Sequence, residues 1–387
     1  MKFRAAALLL LLWLPACQTT DIAPAKDATA SLEDDERRLW TRAREEQETL
    51  DQSGFLIAAP EIEAYVNELL ARLHSAPLAQ GARLHAHLLI DPTLNAFALP
   101  DGTIYIHSGM LARLQNEAQL AAVLSHELTH ATHRHALRGY RNVKNQTGLL
   151  ASLTAGTGGA GALLGLVGAM SAISGYSKDL EREADETGFR LYVAAGYDPQ
   201  ESTKVFRTLL AESKRSKIKE PFFFGSHPRL EERITNFEQF VAGLPAAQQH
   251  GREGTNRAEA YEAVMAPVFL RNADAALRAN DHDFARESAE RFLRVHPDDP
   301  RALLLIADSR RKHAGPDDAA EALRLYRQLV EKAAGLPEAH RGLGLMLFKQ
   351  GDKPAAAAAF HRYLELKPDA DDRSFIENYL QQCAPKS

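Results

Sequence analysis

His126-Glu127-Leu128-Thr129-His130 constrains this chain more than any other five residues. On an α-helix a four-residue step turns by about 400°, so both imidazoles leave nearly one face, a turn apart. That spacing suits two nitrogens about 2.0–2.1 Å from a single zinc ion. Glu127 then lies beside the metal, able to take a proton from zinc-bound water rather than to ligate. The segment reads as helical throughout. Asn116 with Gln119 three residues on predicts a capping box, and Leu120, Val123, Leu124 and Leu128 form an apolar stripe. Gly139 is the expected stop. A helix this apolar is buried, and a buried Ser-His-Glu-Leu-Thr-His leaves polar groups that are costly unless something pairs them. A metal ion does so.

Zinc hydrolases need a third protein ligand and one open position. His133 shares the face of His126, but seven residues of helix separate them by roughly 10 Å. The HExxHxxGxxH arrangement is excluded, because its glycine position holds His133 and its last histidine position holds Ala136. The better candidate is Ser177-Lys178-Asp179-Leu180-Glu181-Arg182-Glu183-Ala184-Asp185. Ser177 can cap a helix running towards Ala194, with Gly196 and Pro199 marking its end. Glu181 and Asp185 share a face of that helix. Two readings stand: a solvated acidic face that includes Glu183 and Glu186, or Glu181 as third ligand with Asp185 holding the outer ring nitrogen of a metal-bound histidine.

HELTH followed by LEREAD resembles the gluzincin metallopeptidases of the CAAX-prenyl-protease and HtpX type, most closely their periplasmic BepA-like branch with C-terminal tetratricopeptide (TPR) repeats. Three further segments carry the likeness, which spans roughly residues 40–245. Asn95 to Gly102, with Ile104-Tyr105-Ile106 and Gly109-Met110-Leu111, is similar to the hairpin that precedes the zinc helix. Arg134-His135 follows the motif as it does there, and Ser226-His227-Pro228 with Arg233-Ile234 resembles the family's SHP loop. The resemblance implies one zinc ion per chain, with His126, His130 and Glu181 as ligands and Glu127 as general base. His227 is then either a latency plug on the metal or a partner of the transition state, and Arg233 is a second candidate for the latter role. It also implies an endopeptidase for misfolded or unassembled envelope proteins, acting in outer-membrane protein quality control. The β-barrel assembly machinery is a candidate partner. The rival reading is a non-catalytic or latent chaperone or assembly adapter that works through its repeats alone.

Lys2 and Arg4 before the apolar run Ala5–Leu14 read as an export signal over residues 1–16. Leu14-Pro15-Ala16-Cys17 looks like a lipobox, so lipid on Cys17 is expected to anchor a periplasmic chain to a membrane. Gln18, where an aspartate would retain it, sends it to the outer membrane. An ordinary cleaved signal and an uncleaved anchor are the alternatives, though the run is short for a span. Loss of Lys2 and Arg4 takes the formal charge from -5 to about -7, and nothing suggests nucleic acid as a partner. The second cysteine, Cys383, predicts no disulfide in the mature chain.

The expected fold is mainly α. An α+β peptidase domain with a small flanking sheet occupies residues 31–250, after a lipidated tether at 17–30. Tyr65, Leu69, Leu70 and Leu73 share a helical face, Arg83 to Ile90 alternates as a strand, and Asp101-Gly102 turns a hairpin. The edge of such a sheet can pair with an extended substrate backbone. His85 and His87 fall on one side of their strand, which suggests a metal pair but reads better as a solvated sheet face. Thr147 to Gly175 is uncharged and holds eight glycines from Gly148 onward. It is a flap beside the cleft, a peripheral membrane contact, or a span. Residues 251–387 read as an all-α TPR-like array: Leu343-Gly344, Ala356, Phe360 and Pro368 fit one unit, Ala322 and Tyr326 a second, and Ala285, Ala289 and Pro297 a weaker third. Such arrays offer a concave surface to protein partners.

Overall fold

The computed structural model describes residues 22, 32–74, 82, 84–142, 176–215, 229–250, 256–313, 315 and 317–384. The export signal, Cys17, the uncharged segment 147–175 and the loop carrying His227 lie outside the described residues. Among those described, no helix is long and apolar enough to cross a membrane.

The N-terminal half is helical around a three-stranded sheet. Helices α1 (Asp34–Gln52) and α2 (Pro60–Leu73) lead into β1 (His85–Leu89), β2 (Ala96–Ala98) and β3 (Thr103–His107). Strand order is β1-β3-β2, with β1 parallel and β2 antiparallel to β3, so Asp101-Gly102 turns the expected hairpin and Gly102 takes φ +99°. That left-handed value is one glycine reaches without a Cβ clash. The outer edge of β1 is occupied: Leu56 bridges Leu89, and the Asn67 side chain on α2 binds both the N–H and the C=O of Ala86. The outer edge of β2, the strand against the motif helix, has no pairing strand among the described residues.

Short α3 (Ser108–Arg113) precedes α4 (Glu117–Thr132), the motif helix. Asn116 caps α4 by accepting from Gln119 N–H at 2.8 Å. The reciprocal half of the box differs from expectation: the Gln119 side chain accepts from Gln115 N–H and donates to Glu201 on α7 (Pro199–Arg215). The longer path is favoured because Glu201 is buried there and needs donors, and Asn116 supplies another at 2.8 Å. In the first turn, fully buried Glu117 accepts from Tyr65, Arg72 and Tyr197, where a carboxylate also meets the positive end of the helix dipole. The start of α4 is thereby tied to α2 and α7.

The helix end differs more. Gly139 is not the stop; α4 ends at Thr132, His133 and Arg134 form a turn, and a second helical stretch, α5, is described from 135 to 142. Arg134 adopts φ +55°, an uncommon state for a residue with a Cβ, and its guanidinium binds the nearly buried carboxylate of Glu36 on α1. Arg141 binds Asp35 of the same helix. Helix α1 therefore clamps the reversal that returns residue 135 towards α4.

Helices α6 (Lys178–Ala194), α7 and α8 (Leu230–Ala242) complete this half. Ser177 caps α6 and Gly196, at φ +87°, follows its end. The second half runs as antiparallel neighbours: α9 (Ala258–Arg278), α10 (His282–Val295), α11 (Pro300–His313), α12 (Asp318–Lys332), α13 (Pro337–Gln350), α14 (Lys353–Leu366) and α15 (Arg373–Cys383). A side chain at Gly344 would meet the Phe360 ring at 2.5 Å, which explains why the repeat pairs a glycine with an aromatic on the next helix. Ala322, Tyr326, Ala356 and Phe360 are all fully buried between helices. The array seats on α3: Tyr261 donates to the Leu111 carbonyl, and Arg291 to those of Ala112 and Leu114.

Candidate metal centre

Helix α6 can lie against the motif only because position 188 is glycine. A Cβ there would fall 2.9 Å from the Ser125 carbonyl oxygen and 3.1 Å from His126 N. The close approach brings Glu181, one face of α6, opposite His126 and His130 of α4. His126 Nε2 and His130 Nε2 are 3.0 Å apart, Glu181 Oε1 is 3.4 Å from His130 Nε2, and Glu181 Oε2 is 3.7 Å from His126 Nε2. Tetrahedral donors about 2.0–2.1 Å from one zinc stand roughly 3.3 Å apart, so the triangle has the right size. All three residues are buried. Two imidazoles and a carboxylate converging out of water form a donor set for a divalent cation, and the residues fit a zinc ion.

The outer ring nitrogens are engaged, which aims both Nε2 atoms at the common centre. Asp185, a turn beyond Glu181, puts Oδ1 3.0 Å from His126 Nδ1. Arg233 of α8 grips Asp185 with both arms, Nε to Oδ2 at 2.9 Å and Nη2 to Oδ1 at 2.5 Å, and its Nη1 is 3.4 Å from Glu181 Oε2. Burial pulls the guanidinium pKa down, but the carboxylates of Asp185, Glu181 and Glu127 more than offset this and hold it above the usual arginine value. The sequence left Arg233 as a candidate for the transition state. Its Nη2 also lies 3.1 Å from His126 Nδ1, so the guanidinium braces the ligand set, with the Phe206 ring 4.4 Å away on one face.

His130 has its own support, which sequence reasoning missed. The reversal at Arg134 places His135 Nδ1 2.9 Å from His130 Nδ1, while His135 Nε2 lies 3.6 Å from Glu183. Burial, then the neighbouring imidazoles and Arg138, keeps His135 far below the usual histidine pKa, hence neutral. A neutral His135 can accept the Nδ1 proton of His130, leaving the His130 Nε2 lone pair for a metal. Tyr176 stacks on the His130 ring at 3.9 Å and 18°. Only the helical extension assumed past Thr132 hid His135; the turn cannot be read from the Thr-His-Arg-His string. His133 stays outside the triangle, 4.0 Å from Glu183. Glu127 is buried beside the ligands, and its charge is felt at both Tyr176 and Arg233.

Replacing either orienting group should weaken metal affinity by about 10–100-fold while leaving the ligand count intact. Competition with a fluorescent zinc chelator on Asp185→Asn and His135→Phe measures this, and affinities equal to the unmodified chain would contradict the assignment of these two supports.

Comparison with known proteins agrees with the geometry. Residues 58–241 match Peptidase family M48, and residues 270–320 and 317–371 match the tetratricopeptide repeat. The chain is 29% identical over 194 residues to the beta-barrel assembly-enhancing protease of Escherichia coli (strain K12), a match covering 48% of this chain and 40% of that protein. It is also 29% identical over 200 residues to the putative beta-barrel assembly-enhancing protease of Vibrio cholerae, covering 49% and 41%. The mitochondrial metalloendopeptidase OMA1 of Schizosaccharomyces pombe is 29% identical over 185 residues, covering 48% and 53%. The matches thus span about half or less of these relatives' lengths. The zinc-like triangle falls inside residues 58–241, the region similar to peptidase family M48, and the tetratricopeptide matches follow it in sequence.

Proposed function

We propose that the chain is an exported zinc endopeptidase that cleaves misfolded or unassembled outer-membrane proteins and recruits them, or the β-barrel assembly machinery, through its repeats. The observation that carries this reading is the buried His126, His130 and Glu181 triangle with Glu127 beside it on the same helix. The substrate class rests on the names of the Escherichia coli and Vibrio cholerae relatives. A zinc ion held by the triangle supplies Lewis-acid polarisation of the scissile carbonyl and makes water acidic enough to be activated near neutral pH. Glu127 takes the proton from the attacking water and passes it to the leaving amine. Asp185 and His135 keep the two imidazoles in the tautomer that presents Nε2. The substrate backbone lies along the outer edge of β2, where main-chain hydrogen bonds give affinity with little side-chain selection, as suits an enzyme for unfolded chains. Residues 1–16 act as export signal and lipid on Cys17 holds the protein at the outer membrane. His227, outside the described residues, is the candidate for a latency role, with a transition-state role as its alternative.

Incubating the purified full chain and its His227→Ala variant with an unfolded outer-membrane β-barrel protein tests this reading. Both should cut it, the variant several-fold faster, and a chelator should stop both. Capture of the substrate with no cleavage by either zinc-loaded form would favour the adapter reading. Slower cleavage by the variant would make His227 a catalytic group instead of a plug.

A further inference from the structure

A second cluster of metal-binding side chains lies at the outer edge of the sheet, apart from the triangle. On β1, alternate residues face opposite sides. Ala86 and Leu88 enter the core, and His85 and His87 stand together on the other face, half-buried, with rings 4.5 Å apart and edge-to-face. The sequence suggests a solvated pair. The structure adds a third group: the double hydrogen bond of Asn67 to Ala86 fixes the register of α2 against β1, and Glu63, one turn before Asn67, is carried round the edge to His87. Glu63 Oε1 lies 3.6 Å from His87 Nδ1, and donor atoms of Glu63, His85 and His87 all fall within 4.8 Å of one another. Tetrahedral zinc donors stand roughly 3.3 Å apart, so the Glu63–His87 pair at 3.6 Å is close to that spacing and the donors within 4.8 Å draw together on binding. His87 is held from behind by stacking on Tyr105 at 5.5 Å.

We infer that Glu63, His85 and His87 form a second divalent-metal site, distinct from the peptidase centre, that takes zinc or a similar borderline cation. Two imidazole nitrogens and one carboxylate oxygen select zinc, nickel and copper over calcium and magnesium. Partial exposure leaves room for water in the remaining positions and lets the ion exchange with solvent. The bound ion ties α2 to β1 across the edge that Asn67 already closes. Binding to the folded chain alone raises its stability by RT ln(1 + L/Kd), where L is the free zinc concentration, so the gain grows with free zinc.

Titration of zinc chloride into the purified full-length holoenzyme, dialysed so that only tightly held metal remains, tests the site. The chain should take up one further equivalent. Its uptake should vanish in His85→Ala/His87→Ala and weaken at least tenfold in Glu63→Gln. The melting temperature should rise with added zinc in the unmodified chain and not in the double variant, whose tightly held zinc, measured by elemental analysis, stays unchanged. No further equivalent, or one that survives the double substitution, overturns the inference. Either result leaves the peptidase reading standing, because that reading rests on the tightly held ion.

Discussion

Glu127→Gln should cut peptide-bond cleavage by about 10²–10⁴-fold while leaving tightly bound zinc in place. The substitution is nearly isosteric, so α4 keeps its packing, and the triangle of His126, His130 and Glu181 is untouched. What is lost, on the proposed mechanism, is the group that takes the water's proton. On that mechanism the effect should fall on kcat, because Glu127 would act on the reacting atoms and not on substrate binding. Steady-state cleavage of an unfolded polypeptide, read beside metal content, gives the answer. Full activity in a zinc-replete Glu127→Gln protein would remove the general base from the mechanism.

Much of this candidate site is legible in the sequence. Periodicity and caps placed His126, Glu127 and His130 on one buried helix, and the family likeness put Glu181 and Asp185 on the facing one. Both helices form as expected from Asn116 and Ser177. What stayed hidden depends on contacts between distant segments. The reversal after Thr132 is set by Arg134 reaching Glu36, ninety-eight positions away in sequence, so no local pattern announced that His135 would turn back on His130. Arg233 was visible as a charged residue near the SHP segment, but its commitment to Asp185 is a tertiary fact. Glu63 joins His85 and His87 only once Asn67 fixes the register of α2 on β1. Gly188 carried a signal that could have been used, since a glycine inside a helix of otherwise good formers points to close helix packing.

Glu181→Gln should have the second large effect, and it bears on the central claim. A neutral amide keeps the shape of the side chain but removes the charge that balances the cation, and the two histidines on α4 alone do not make a closed three-ligand site. The buried surroundings sharpen the loss. Arg233, 3.4 Å from Glu181 and already bound to Asp185, would stand next to a metal with one negative charge fewer to offset it. Cleavage should fall with metal content and recover only partly in excess zinc.

The most direct measurement is zinc content by elemental analysis of the full chain and of Glu181→Gln, both produced in zinc-replete medium and dialysed against a weak chelator. The account predicts about one tightly held zinc per unmodified chain and little in the variant. An unmodified chain without zinc, or a variant that retains a full equivalent, would contradict the assignment of His126, His130 and Glu181 as the metal centre.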